Sequence, residues 1–351
     1  MYQPDQFVKL TNPDGINKGF QFKEGLNEDT YDLNRNEECA QGGFYFCKFK
    51  DVGKWINYYN NAEMLIWKVE IPEGEEIIEY ETKLKAKRII LSEPKKAYED
   101  YEICKMAVQE NGWAIQFVKE QTEELCNLAI QQYGAVLRFI IPQTKEQTEK
   151  LCKMAVQQNG LALQYVKEQT EEICKLAVHQ NGLALQFVEE QTEEICKLAV
   201  EQDGLALQYV KEQTEEICKL AVEQDGLVLY SVKEQTEEIC KLAVQQNGLA
   251  LKYVKKQTEE ICKLAVQQNG WALQFVKEQT EEICKLAVQQ YGWALKYVIS
   301  QTAELCMLAV QQNSWTLQYV KEQTEELCKL AVKQDGNTIQ FIKPEFIHLF
   351  Q

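Results

Sequence analysis

Eleven cysteines, Cys104 to Cys328, recur every 22 residues, with one wider gap between Cys126 and Cys152 where Ile141, Pro142, Gln143 and Thr144 are inserted. A fixed period of this size constrains the fold more than any other feature of the chain. A unit of about 22 residues cannot bury an apolar face by itself, so stacked neighbours must supply the core. The period divides the chain into residues 1–96, a repeat array at 97–343 and a tail at 344–351.

Each repeat reads as a pair of short helices. In the copy around Cys240, Thr236 is placed to cap a helix whose first turn carries Glu237 and Glu238, matching the positive end of its dipole. Ile239, Leu242, Ala243 and Gln246 fall on one helical face, and Cys240, Ala243 and Val244 on the adjacent one. Asn247-Gly248 is the expected stop, with glycine taking a left-handed C-terminal cap. Leu249 to Val254 then begin a second helix, expected to end near Gln257. A leucine-rich repeat is the rival reading, because Ile239, Leu242, Val244, Asn247 and Leu249 also fit the pattern LxxLxLxxNxL. Against it, alanine stands three residues after every one of the eleven cysteines, and Tyr133 and Tyr291 replace the asparagine. The expected fold is mainly α: an α-solenoid of eleven 22-residue helical-hairpin repeats, preceded by a small α+β, strand-rich N-terminal domain.

Residues 1–96 have a different texture. Gly19–Phe22, Gly43–Phe46, Met64–Val69 and Arg88–Leu91 are short, aromatic or β-branched runs bounded by turn-forming residues, which predicts strands. Val52 to Tyr59 is the expected helix between them, and Phe346, Ile347, Leu349 and Phe350 are expected to cap the apolar end of the array.

The Gln-Asn-Gly-x-Ala-Leu-x-Tyr text, as in Gln246 to Tyr253, resembles the tandem helical repeats of unknown function found in giant viruses of amoebae. The run GFQFKEGLN, GGFYFCKF, LIWKVEIPEG, LKAKRIIL similarly resembles the small N-terminal domain of such proteins. These resemblances imply a viral helical array and carry no chemistry with them. More distantly, the Gly-Gly-aromatic-Tyr-aromatic strand followed by a helix is similar to ADP-ribosyltransferase-like folds, which implies an alternative in which the N-terminal domain is an active or degenerate effector targeted by the repeats. Those folds place a histidine or arginine on an early strand; here the histidines are His179 and His348, and Arg35 and Arg88 read as surface charges.

With 38 basic and 54 acidic residues the chain carries −16, which repels nucleic acid and favours protein partners. No apolar run reaches the ~18 residues needed to cross a bilayer, and a cytoplasmic, non-enzymatic protein without metal or cofactor is expected. Neighbouring repeats stacked at the ~9–10 Å of packed helices are too far apart for their cysteines to bridge, and no ligand spacing accompanies them. Cys39 and Cys47 alone offer too few ligands. The E-Q-T-E-E junctions, such as Glu168, Glu171, Glu172 and Glu190, Glu193, Glu194, form an acidic edge. Positions that differ between copies are free to serve a partner. Nine residues after the cysteine, leucine becomes Trp113, Trp271, Trp293 or Trp315, and twelve residues after it glutamine becomes Arg138, Tyr230, Lys252 or Lys296. Trp271, Tyr291, Trp293 and Trp315, with Arg138, Lys252 and Lys296, are the candidate partner-binding residues.

Overall fold

Short aromatic and β-branched segments separated by glycine turns build a sheet from the first 96 residues. The computed structural model describes residues 2–35, 41–58, 61–142 and 144–350, so Cys39, Tyr59 and Gln143 lie outside the described residues. Strand β1 (Phe7–Thr11) is central in a seven-stranded sheet, flanked by β5 (Phe44–Lys48) and β6 (Leu65–Glu70). Beyond β6 lie β9 (Arg88–Lys96) and β4 (Gly25–Glu28); beyond β5 lie β8 (Leu84–Ala86) and β7 (Ile78–Glu79). A separate hairpin joins β2 (Ile16–Asn17) to β3 (Phe20–Gln21). One face of the sheet buries Phe22, Phe44, Phe46, Trp67, Val69 and Leu84. Pairing of β1 with β5 covers only Phe7 with Lys48 and Val8 with Cys47, whereas β1 follows β6 from Val8 to Thr11. Past Val8 the two strands therefore separate, and Phe20 of the hairpin packs on Phe44 with ring centroids 4.5 Å apart.

Helix α1 (Val52–Ile56) packs on α2 (Tyr101–Glu110), the first helix of the array. Asn57 Nδ2 donates to the Ala107 carbonyl at 3.0 Å, and a Cβ on Gly53 would come within 2.9 Å of the Met106 carbonyl oxygen. The sheet segment thus covers the free face of the first repeat, as a terminal unit must.

Packing divides the chain into two compact bodies, Met1–Gln180 and Asn181–Gln351. The first holds the sheet, α1, α2, α3 (Glu123–Gln132), α4 (Lys145–Gln158) and α5 (Glu171–Gln180). The second holds α6 (Glu193–Gln202), α7 (Glu215–Gln224), α8 (Glu237–Gln246), α9 (Glu259–Gln268), α10 (Glu281–Gln290), α11 (Ala303–Gln312) and α12 (Glu325–Gln334). Consecutive helices pack side by side within each body, giving the α-solenoid repeat architecture. The leucine-rich reading is overturned, since its strand residues, Ile239 to Val244, lie in α8.

Thr236 caps α8 as expected, its Oγ1 accepting from the Ile239 N–H. Ile239, Cys240, Ala243 and Val244 of that helix, with Ala250, Leu251 and Val254, are at most 3% exposed. Of the face that carries Ile239 and Ala243, Leu242 is only partly buried and Gln246 is exposed.

The second element of each repeat differs from the expectation. It is a six-residue 3-10 helix, such as Gly248–Tyr253, closed by Ala250 N–H to Asn247 O at 2.8 Å and followed by extended backbone at Val254. Nor is the glycine a left-handed cap: the glycines with positive φ are Gly15, Gly19, Gly25, Gly42, Gly43 and Gly74, all before the array. Asn247 ends the helix in an extended conformation (φ −147°, ψ 108°), and its Oδ1 accepts from the Leu249 N–H. Glycine is needed for closeness instead, because a Cβ on Gly248 would lie 2.4 Å from the Ala265 carbonyl of the next repeat.

Between the copies around Cys240 and Cys262, two glutamines tie one copy to the next through backbone groups. Gln268 Oε1 accepts from Gly248 N–H at 2.7 Å while its Nε2 donates to the Gln246 carbonyl at 3.4 Å. Gln257 Nε2 donates to the Phe275 carbonyl at 2.9 Å and its Oε1 accepts from Lys277 N–H at 3.0 Å. The Cys262 thiol donates to the same oxygen at 3.7 Å. The array cysteines are buried and free, and burial raises the thiol pKa of Cys240, Cys262 and Cys284 above the usual value.

Thr144 caps α4, so the four-residue insertion lengthens that helix at its start. The tail forms a 3-10 helix, Pro344–Phe350, packed on α12, with Phe346, Leu349 and Phe350 partly buried and Ile347 exposed.

Candidate partner-binding surface

The second residue of the 3-10 helices in the array lies mostly at the boundary between interior and solvent. Leucine at this place is partly buried at Leu183, Leu227 and Leu249 and 40% exposed at Leu205. Tryptophan here is larger than the stack requires, and Trp271, Trp293 and Trp315 are all partly buried on the flank of the 3-10 layer. Each leans on the following repeat. Trp271 meets Tyr291 with centroids 5.2 Å apart and Tyr297 at 5.6 Å; Trp293 meets Tyr319 at 5.7 Å; Trp315 meets Phe341 at 5.3 Å. Trp315 also donates its indole N–H to Asp335 Oδ2 at 2.9 Å.

Tyr291 stands where other repeats have a capping asparagine or aspartate, and it supplies no side-chain cap to the 3-10 helix that follows. Loss of such a cap costs about 1 kcal/mol, and the residue remains 39% exposed. Lys296 is exposed, its ammonium 5.6 Å from the Tyr297 ring centre and 5.9 Å from that of Tyr319. Trp271, Tyr291, Trp293 and Lys296 are thus joined through Tyr297 and Tyr319 into one aromatic ridge with a cation set into it, and Trp315 holds the same place in the next repeat. Lys252 is exposed two repeats earlier, over Tyr253 at 5.5 Å.

Arg138 belongs to a similar cluster in the other body. Its guanidinium lies 5.2 Å from the Trp113 ring and 4.4 Å from the Phe139 ring, and Tyr133 meets Trp113 at 5.9 Å. Tyr133, like Tyr291, replaces a capping side chain and provides none.

Sequence reasoning missed the far wall of the ridge: Tyr297, Tyr319 and Phe341. The signal was available, because the residue thirteen after the cysteine is aromatic in ten of the eleven copies. The exception, Ser231, follows Tyr230, whose ring meets Tyr253 at 5.8 Å.

The acidic edge is largely paired. Lys241 Nζ bridges Glu237 of its own helix at 3.0 Å and Glu260 of the next repeat at 2.7 Å, and Lys197, Lys219 and Lys263 repeat the arrangement. Both carboxylates stay more than half exposed, so each pair contributes little on its own. In the sheet segment Arg88 pairs with Glu75 at 2.7 Å and Arg35 with Glu76.

Residues 148–192, 192–236, 214–258, 236–280, 258–302 and 302–347 match the family described as Domain of unknown function (DUF4116). The chain is also similar to Uncharacterized protein R869 of Acanthamoeba polyphaga mimivirus, 26% identical over 74 residues, which is 20% of this chain and 54% of that protein. It thus spans about half the length of that relative. No solved structure matches. No helix among the described residues is long and apolar enough to cross a membrane.

Proposed function

Because the chain belongs to the DUF4116 family, whose repeats fill more than half of it, we propose that it is a non-catalytic scaffold binding other proteins through the flank of its helical repeats. The observation that carries this reading is Tyr291, which gives up a helix cap to extend an aromatic ridge that leucine-bearing repeats do without. Large aromatics offer wide contact with few rotors to freeze, and they dominate interface energies. With Lys296 exposed beside them, the partner this ridge fits presents apolar side chains flanked by a carboxylate. Likeness to a mimivirus protein supports action during viral infection, in the host cytoplasm or viral factory.

Affinity capture from infected amoebae tests it, using the full chain beside a Trp271→Leu, Trp293→Leu, Trp315→Leu variant. Proteins captured by the first and lost by the second are expected. An identical set captured by both would refute the ridge as the binding surface.

A further inference from the structure

A cavity of about 690 Å³ opens in the sheet segment where β1 and β5 separate, a volume within the ~300–1,000 Å³ of small-molecule sites. Among the described residues its charge is opposite to that of the chain. Among the described residues that line it, Lys9, Lys18 and Lys83 are cationic and one, Asp29, is a carboxylate, already engaged by the N–H groups of Tyr31 at 3.0 Å and Gly43 at 2.7 Å.

Lys9 is the unusual residue. It is 4% exposed on the central strand, directly opposite Trp67, and its ammonium lies 4.7 Å from the centre of the buried Phe22 ring. Among the described residues it has neither a carboxylate nor a hydrogen-bond acceptor. Burial, with a smaller contribution from nearby Lys18, brings its pKa down to about 8. An uncompensated buried cation is costly where a methionine would fill the same space. Lys83, 7% exposed, stands 4.9 Å from the Tyr45 ring centre and 5.1 Å from that of Trp55. Lys18 reaches the same Tyr45 ring at 5.6 Å from the tip of the β2–β3 hairpin. There Lys18 (φ 48°) and Gly19 (φ 81°) are both left-handed, a conformation that lysine rarely adopts. Strain of this kind persists where surrounding structure imposes it, commonly at ligand sites. At the rim, Tyr31 and Tyr58 are 53% and 75% exposed.

We propose that this cavity binds a small organic phosphate bearing a flat ring, of the size of a nucleoside diphosphate. The phosphates meet Lys9 and Lys83 inside and Lys18 at the mouth, and the ring lies against the tyrosines of the rim. Charge inside and aromatic surface outside together select such a ligand over either a bare anion or an uncharged ring.

The test is titration calorimetry on the full chain with ADP, GDP, CDP and UDP, beside pyrophosphate and the four nucleosides. At least one diphosphate is expected to bind, at least tenfold tighter than pyrophosphate, with no binding of its nucleoside. Lys9→Met is expected to melt no lower than the parent and to bind that diphosphate at least tenfold more weakly. Lys18→Gln, at an exposed position, keeps the test valid if the Lys9 variant fails to fold, and it too should bind more weakly. Absence of binding by all four diphosphates, equal binding of a nucleoside, or unchanged affinity in the variants would overturn the assignment.

Discussion

Single residues in this chain are constrained by what the next copy places beside them. Gly226 has the Ala243 carbonyl oxygen 2.2 Å from where a Cβ would stand, whereas nothing lies within 4 Å at Gly336. Gly226→Ala should therefore cost about 1–3 kcal/mol of unfolding free energy, the range for overpacking, and Gly336→Ala almost nothing in the same urea titrations. Lys9 gives a pH signature. Its folded pKa, about 8, lies below its ordinary 10.5, so between these values the unfolded chain holds the proton more often and stability rises with pH. Lys9→Met should be the more stable protein at pH 7.5, with a lead of at most about 3 kcal/mol that shrinks towards pH 10. A lead that stayed constant over this range would contradict the burial of an unpaired ammonium.

At the scale of elements, the α-helices were legible because every cue agreed: the threonine cap, the acidic first turn and the alternation of Ile239, Cys240, Ala243 and Val244. The second element was misread because apolar spacing over six residues fits 3-10 and α-helix alike, and close approach of a glycine to its neighbour leaves no mark in one sequence. In the sheet, β5, β6 and β9 showed as aromatic or β-branched runs. Strand β1 was missed since Lys9 interrupts its apolar run, and β8 since Lys85 does the same, although that lysine is fully buried. Cations placed inside a sheet hide both the strand and the cavity beside it. The glutamine ties were also invisible, because glutamine before a threonine cap looks like solvent-facing polarity. Gln257→Leu should strand the Phe275 carbonyl and the Lys277 N–H, lowering stability by about 1–3 kcal/mol; Gln274→Leu, whose exposed side chain donates to the Trp271 carbonyl of its own 3-10 helix, should change it by less than about 1 kcal/mol.

For the whole molecule, repetition separates two tasks. Text shared by the copies builds the stack through buried Ile, Cys, Ala, Val and Leu and glutamine ties, while in the second body departures from it gather on one flank as Trp271, Tyr291, Trp293, Lys296 and Trp315. Only the common text is needed for folding if this division holds. The urea unfolding curve of the Trp271→Leu, Trp293→Leu, Trp315→Leu protein tests that most directly, since leucine is the commonest residue at this place in the repeat. We expect its unfolding free energy to lie within about 1 kcal/mol of the parent for each ring removed, the scale of a surface aromatic contact. A loss of about 3 kcal/mol or more per tryptophan, the cost of emptying a core position, would show that the ridge belongs to the core, and the separation of tasks would be wrong.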